Sequence, residues 1–273
     1  MQVYRGMDIG TAKPTSAERA RVPHHLIDVA APVERFSAGE YLRLADEAVA
    51  EIRSRGKIPL VVGGTGLYVR ALTHGLFEGP VADRAFRDSL IEKEKSNGDG
   101  TLYKLLREVD PEATGRIHQT DIRRIVRALE VYHTEGRPLS ALHEEHRAAG
   151  TDRPVKIAGL RRGRDELYRR IDARVDKMMA EGLLDEVMAL KGLGCDRDMT
   201  SMQALGYKQL MAFLEGDTTL EEAVRLIKRD TRRYAKRQFT WFNAEQKVEW
   251  VDISEGAQMG RTLSDIKKVL DIL

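Results

Sequence analysis

The sequence predicts an α/β domain interrupted by a helical insertion, on three observations. Residues 58–62, IPLVV, are continuously apolar and bounded by glycine, the pattern of a strand buried in a parallel sheet. A helical pattern precedes that run and a glycine turn, GGTG, leads from it into another helix start, LYVRAL, which is the alternation of an α/β core. From about Ala82 the pattern becomes almost wholly helical, and strand character returns only at VKIAGL, 155–160. These changes divide the chain into an α/β core of residues 1–82 and 151–273 and a helical insertion of residues 83–150.

Each element follows in order. Tyr41, Leu44, Ala45, Ala48, Val49 and Ile52 recur at helical spacing between Ala38 and Arg55, and Gly56 ends the pattern. Within the insertion the breaks fall at Asn97-Gly98, at Asp110-Pro111 and at 136–138. After VKIAGL come three helical stretches, 164–191, about 199–215 and 219–243, and KVEWVDIS, 247–254, reads as a last strand. No internal repeat and no low-complexity segment is visible.

With 273 residues, 42% hydrophobic and 32% charged, the chain has the composition of a soluble globular protein large enough to bury a core. Its one cysteine, Cys195, rules out an internal disulfide framework, and no run approaches the ~20 apolar residues of a membrane span. No basic-then-apolar leader is visible, so the cytoplasm is the expected compartment. Net charge is only +2, yet the cations cluster: 161–174, 123–127, and 225–237 with seven cations against Asp230. Local basic tracts on a near-neutral chain point to a polyanionic partner.

Four stretches carry candidate chemistry. In VVGGTGLYV, backbone N–H groups of a glycine turn can approach an anion at a helix start, with the Thr65 hydroxyl beside them; the same glycines also serve simple tight packing. Arg225, Arg229, Arg232 or Arg233, and Lys236 share one helical face, which suits a phosphate backbone or a solvated surface equally. Tyr234, Phe239, Trp241 and Phe242 interleave with that stripe as stacking platforms or as its buried side. Arg170 and Arg174 lie one turn apart and would clamp a diphosphate, or join ion pairs with neighbouring acids. The HEEH at 143–146 has the wrong histidine spacing for a zinc site, and the G-x-x-x-x-G-K-[ST] loop is absent, so no protein metal ligands are assigned.

Seven motifs occur in one order: MQVYRGMDIGTAKPT, HHLIDV, VVGGTGLYVRAL, DIRRIVRALEVY, LYRRIDARVDKMMAEGLLDEV, ALGYKQ and TRRYAKRQFTWF. Together they resemble the tRNA dimethylallyltransferase (tRNA isopentenyltransferase) family from Met1 to Trp250. The resemblance implies transfer of a dimethylallyl group from its diphosphate to the exocyclic amine of the adenosine 3′-adjacent to the anticodon, position 37. It also implies Mg2+, a nucleotide-binding, P-loop-kinase-like parallel sheet flanked by helices, and a flipped target base. The alternatives are a catalytically inactive tRNA-binding protein and an adenylate isopentenyltransferase. The implied partners are the tRNA anticodon stem-loop and dimethylallyl diphosphate, met by a monomer.

Residue by residue, the resemblance implies Thr65 at the reaction centre, with Arg174, Gly63 and Gly64 on the diphosphate. Gln2 is implied to read the adenine. For tRNA contacts it implies Arg87, Arg123, Arg124 and Arg127, then Ser201, Met202, Gln203, Ala204, Leu205 and Gly206, and finally Thr231, Arg232, Arg233, Lys236, Arg237 and Gln238. In the family a first strand, a phosphate loop and an A-D-S strand end precede the M-Q-V-Y-R with which this sequence opens. The expectation is therefore a misassigned start, and a 273-residue chain that is inactive without the loop lysine and general-base aspartate.

Overall fold

The computed structural model describes residues 1–77, 79–80, 82–150, 153–254 and 256–272. In chain order the elements are α1 (Ser16–Arg21), α2 (Ala38–Ser54), α3 (Gly66–His74), α4 (Arg84–Asn97), α5 (Thr101–Val109), α6 (Pro111–Thr114), α7 (Ile122–Glu135) and α8 (Leu139–Ala148). They continue with β1 (Ile157–Arg161), α9 (Arg164–Ala180), α10 (Leu183–Gly192), a 3-10 turn (Ser201–Gln203), α11 (Tyr207–Leu214), α12 (Leu220–Asn243), β2 (Val248–Asp252) and α13 (Met259–Val269). The class is α/β, with a small parallel sheet and many helices. The chain forms two compact units, Met1–Leu72 with Pro154–Leu273, and Thr73–Arg153. Among the described residues no helix is long and apolar enough to cross a membrane.

In the first unit β1 and β2 pair in parallel, Ile157 opposite Val248 through Arg161 opposite Asp252. A single parallel bridge joins Tyr4 to Ala30. Gly182 (φ +97°) and Gly206 (φ +94°) occupy the left-handed region, so the two long helical stretches expected there are each cut. The first becomes α9 and α10, and the second shortens to α11 behind the 3-10 turn. The core of this unit joins Val3, Tyr4, Met7 and Ala30 to Val175, Leu183, Val187, Leu190, Met202, Tyr207, Leu210, Met211 and Ile227. The first residues of the chain are thus sealed among helices that lie far along it.

The run 58–62 departs from expectation. It is neither a strand nor buried: Ile58, Leu60, Val61 and Val62 are all exposed, Val62 at 86%. Among the described residues no strand lies beside it, so its backbone has no ladder and its side chains no opposing layer.

The second unit is a helical cluster around Leu90, Leu102, Leu106, Ala113, Ile125, Val126, Ala128 and Leu129. Its helices end where the sequence breaks: α4 at Asn97 before Gly98, α6 beginning at Pro111, and α7 at Glu135 before Gly136 (φ +66°). Three buried carboxylates tie these ends together. Glu94 accepts the N–H groups of Gly100 and Leu102 at the start of α5. Asp110 accepts from Ala113 N–H, Ser140 N–H and the Ser140 hydroxyl. Glu130, fully buried, takes Arg87 through both oxygens at 2.7 Å, Arg127 at 2.5 Å and the Asp83 N–H at 2.8 Å. Buried carboxylates are tolerated when so fully satisfied.

Burial alone would raise the Glu130 carboxyl; the hydrogen bonds from Arg87, Arg127 and Asp83 outweigh it and hold the group below its ordinary value. Its contribution to stability is therefore complete above the unfolded carboxyl pKa and fades as pH falls through the lower folded value. Glu130→Gln should cost about 3 kcal/mol, the low end for a broken buried pair because both arginines are one-third exposed. It should also flatten the acid side of the stability profile, read by thermal unfolding between about pH 3 and 7.

Candidate active site

The opening segment is bound to α10 by one side chain. Glu186 accepts the N–H groups of Asp8 (2.8 Å) and Ile9 (2.7 Å) on one oxygen, and the Gly10 N–H (3.2 Å) and the Tyr207 hydroxyl (2.5 Å) on the other. Three successive N–H groups converging on one anion form a backbone nest. Gly10 is required by contact: a Cβ there would lie 2.5 Å from the Tyr207 ring. Burial, then the Glu186 bond, pushes the Tyr207 hydroxyl far above its ordinary value, so it remains a donor. The loop is closed on its other side by Lys13, whose buried ammonium pairs with Asp8 and Asp28 and donates to the Tyr4 carbonyl. Gln2 is half-buried, and its amide nitrogen donates to the carbonyls of Thr11 and Ala12, both at 3.0 Å.

The glycine turn rests on α12. Gln238 donates to the Gly64 carbonyl at 2.8 Å, and a Cβ on Gly66 would meet the Trp241 ring at 2.6 Å. Gly63 faces open space, and a Cβ there would have nothing within 4 Å. Thr65 is exposed immediately before α3, and its carbonyl accepts the N–H groups of Tyr68 and Val69. Tyr68 in turn stacks on Tyr41 of α2, ring centroids 3.9 Å apart, and burial pushes the Tyr41 hydroxyl up to about 12.

The same helix α12 packs against α9 through an ion-pair ladder, Asp172 with Arg232 and Asp176 with Lys228. On α12 the Arg232 and Gln238 anchors are six residues apart, roughly 9 Å along the axis at 1.5 Å per residue. One helix therefore carries both the Thr65 turn and the helix of Arg174. Arg170 is bound to Glu166 at 2.8 Å, so the ion-pair reading holds for it. Arg174 is exposed and forms no ion pair among the described residues.

Several of the expected contact residues also have partners within the molecule. Arg229 and Arg233 pair with Asp230, Arg232 with Asp172, and Arg225 with Glu222. The acids that neutralise the stripe come partly from α9, which the local sequence does not display. Thr231 donates to the Ile227 carbonyl, and Gln238 serves the glycine turn. Lys236 and Arg237 stay exposed, with Arg237 over the Tyr234 ring at 5.7 Å. Ser201, Met202, Ala204 and Gly206 are buried, Gln203 and Leu205 half-buried; the Ser201 hydroxyl donates to the Pro32 carbonyl and the Gly206 N–H to Gln209. This stretch is core rather than surface, because its glycine turn must seat α11. In the second unit Arg87 and Arg127 are engaged by Glu130 and Arg124 by Asp121, which leaves Arg123 exposed without an ion pair among the described residues. Glu186, Tyr207 and Lys13 stand within three of the seven motifs, but the sequence assigns them no role, because the partners of Glu186 lie up to 178 positions away.

A match to the family model described as IPP transferase covers residues 2–245, so the chain belongs to that family. Among its relatives is tRNA dimethylallyltransferase 2 of Geotalea uraniireducens, 51% identical over 93% of this chain and 82% of that protein. The tRNA dimethylallyltransferase of Syntrophobacter fumaroxidans is also 51% identical, over 93% of this chain and 75% of its own. A crystal structure of the full-length tRNA isopentenylpyrophosphate transferase from Bacillus halodurans is similar at 42% identity and TM-score 0.69, covering 98% of this chain and 83% of that one. A eukaryotic dimethylallyltransferase described as acting on tRNA matches at 27% identity and TM-score 0.78, over 97% and 69% of the two chains.

The two glycines beside Thr65 should respond differently to a methyl. Gly66→Ala forces Trp241 aside and should destabilise by about 1–3 kcal/mol, with a shifted Trp241 emission in a Trp250→Phe background. Gly63→Ala should leave both the melting temperature and the emission near those of the parent.

Proposed function

We propose that this chain carries acceptor- and diphosphate-facing groups of an enzyme that transfers a dimethylallyl group from dimethylallyl diphosphate to the exocyclic amine of the adenosine 3′-adjacent to the anticodon, position 37, of tRNA. The observation that supports the reading is the family match across residues 2–245, with relatives at half identity named tRNA dimethylallyltransferase. The amine forms a bond to the first carbon of the dimethylallyl group, the bond from that carbon to diphosphate oxygen breaks, and the amine loses a proton. Diphosphate departs with several negative charges, so cations and aligned donors at the leaving group lower the barrier most.

On this reading Thr65 and the turn of Gly63 and Gly64 face the reacting group. Arg174, a guanidinium free of internal ion pairs among the described residues, takes up diphosphate charge. Gln2 reads the acceptor base. Of the tRNA-contact cations that the resemblance implies, those with no internal acid among the described residues are Arg123 on the second unit and Lys236 and Arg237 on the first. The Mg2+ that the resemblance implies finds no protein-made cage, because among the described residues no three His, Cys, Asp or Glu are grouped to hold an ion. The compartment on this reading is the cytoplasm, and the acting species is a monomer.

Radiolabelled dimethylallyl diphosphate supplied with unmodified tRNA or with AMP tests the reading. The assay is run on the 273-residue chain and on the same chain extended in frame upstream. Label should enter tRNA and not AMP with the extended chain and neither acceptor with the 273-residue chain, and label in AMP alone would replace tRNA by a free nucleotide as acceptor. Arg174→Ala should weaken dimethylallyl diphosphate binding by roughly tenfold or more, as for a lost charge-assisted contact, in calorimetric titration. Its affinity for an anticodon stem-loop should be unchanged, and normal diphosphate affinity in the variant would remove Arg174 from the site.

A further inference from the structure

We infer that Glu186, backed by Tyr207, is a positioning residue that fixes Gln2 as a hydrogen-bond acceptor toward the target base; the inference rests on the reading of Gln2 given above. A glutamine amide presents either an acceptor oxygen or two donor hydrogens, and its orientation follows from its partners. Here the partners leave no freedom. The carbonyls of Thr11 and Ala12 can only accept, so the Gln2 nitrogen must face them and both of its hydrogens are engaged. The oxygen points away from that pair, and among the described residues no donor reaches it. The Gln2 main chain is held as well, its carbonyl accepting from the Asp28 N–H.

Those two carbonyls are in place because the loop from Met7 to Lys13 is in place. Within the loop, Thr11 Oγ1 donates to the Met7 carbonyl at 2.6 Å, and the N–H groups of Ala12 and Lys13 donate to the carbonyls of Ile9 and Asp8. Ala12 sits at φ +47°, a left-handed conformation unfavourable for alanine, which persists only where the surroundings impose it. Two groups hold the loop in place: Lys13 on one side, and on the other Glu186, which collects three N–H groups at 8–10 and is itself steadied by Tyr207. The chain of dependence runs from α10 and α11 to the loop, from the loop to the Gln2 amide, and from the amide to the base edge it can accept. An acceptor oxygen matches the exocyclic amine of adenine and opposes the 6-oxo group of inosine or guanine.

Glu186→Gln tests this, since its single amide oxygen cannot serve both the Asp8 and Ile9 pair and the Gly10 and Tyr207 pair. Two readouts on the full chain are used. In the free protein, the side-chain amide protons of Gln2, assigned with Gln2→Ala, should exchange slowly with solvent, and in E186Q at the rate of exposed glutamines. In anisotropy titrations, anticodon stem-loop RNAs carry adenosine or inosine at the nucleotide 3′ of the anticodon. The parent should prefer adenosine by at least about tenfold, the scale of one opposed buried polar pair, and E186Q should fall to within about threefold with little change in the salt dependence of binding. Tyr207→Phe, which leaves the Asp8 and Ile9 anchor intact, should lie between them and stands in if E186Q does not fold. Unchanged Gln2 exchange in the variants overturns the positioning role, whatever the RNA does. Slowed exchange that is lost in E186Q, with adenosine preference kept, overturns the link to base choice. A parent that binds no stem-loop overturns the tRNA reading and that link together, while the exchange arm still decides whether Glu186 holds Gln2.

Discussion

The architecture of the first unit depends on one carboxylate accepting backbone N–H groups from a segment far away in sequence. Without Glu186 the N–H groups of half-buried Ile9 and Gly10 would lose their acceptor, and unsatisfied donors there are costly, whereas the exposed Asp8 N–H would turn to water. With it, Val3, Tyr4 and Met7 can enter the core among Leu183, Val187, Leu190 and Leu210. The polar anchor permits the apolar burial, and the burial in turn half-covers the anchor, with Asp8 left exposed at its edge. Each is worth more in the presence of the other.

A related economy governs the cations. Helix α12 looks strongly basic when read alone, yet its charges are largely committed to Asp172, Asp176, Glu222 and Asp230. The α9–α12 ladder runs antiparallel: one turn forward from Asp172 to Asp176 meets one turn back from Arg232 to Lys228. It fixes the axial register of two helices whose other contacts are mostly apolar and would tolerate sliding. The second unit solves the same problem with carboxylates turned inward, where Glu94, Asp110 and Glu130 each collect donors from beyond their own helix.

What was legible in the sequence was local. Helix ends at Asn97, Pro111 and Glu135 follow from glycine and proline chemistry, and β1 and β2 follow from short apolar runs that find each other as partners. The IPLVV run has the same composition as those strands but no neighbouring strand among the described residues, and a strand is a property of a pair. Helical periodicity likewise ran through Gly182 and Gly206, because periodicity records faces and not backbone sign. In the candidate site, Thr65 and Arg174 stand exposed and unencumbered, whereas Ser201, Met202 and Gly206 serve packing. Motif order marks which residues belong together without saying which of them face a ligand and which support those that do. The role of Glu186 was not legible for the plainest reason: a glutamate within a motif is commonplace until the fold brings it a nest.

The exposed run 58–62 sets a limit on how the isolated chain behaves when concentrated. Leu60, Val61 and Val62 are β-branched or bulky, uncharged and without a ladder, the features of a segment that recruits another strand. Lys57 and Pro59 guard one end, the proline by removing a donor from any ladder that would form there. The other end passes into Gly63 and Gly64, which carry no charge to oppose stacking. A further strand laid beside this run would supply ladder partners to its backbone and bury Leu60, Val61 and Val62 in a single step.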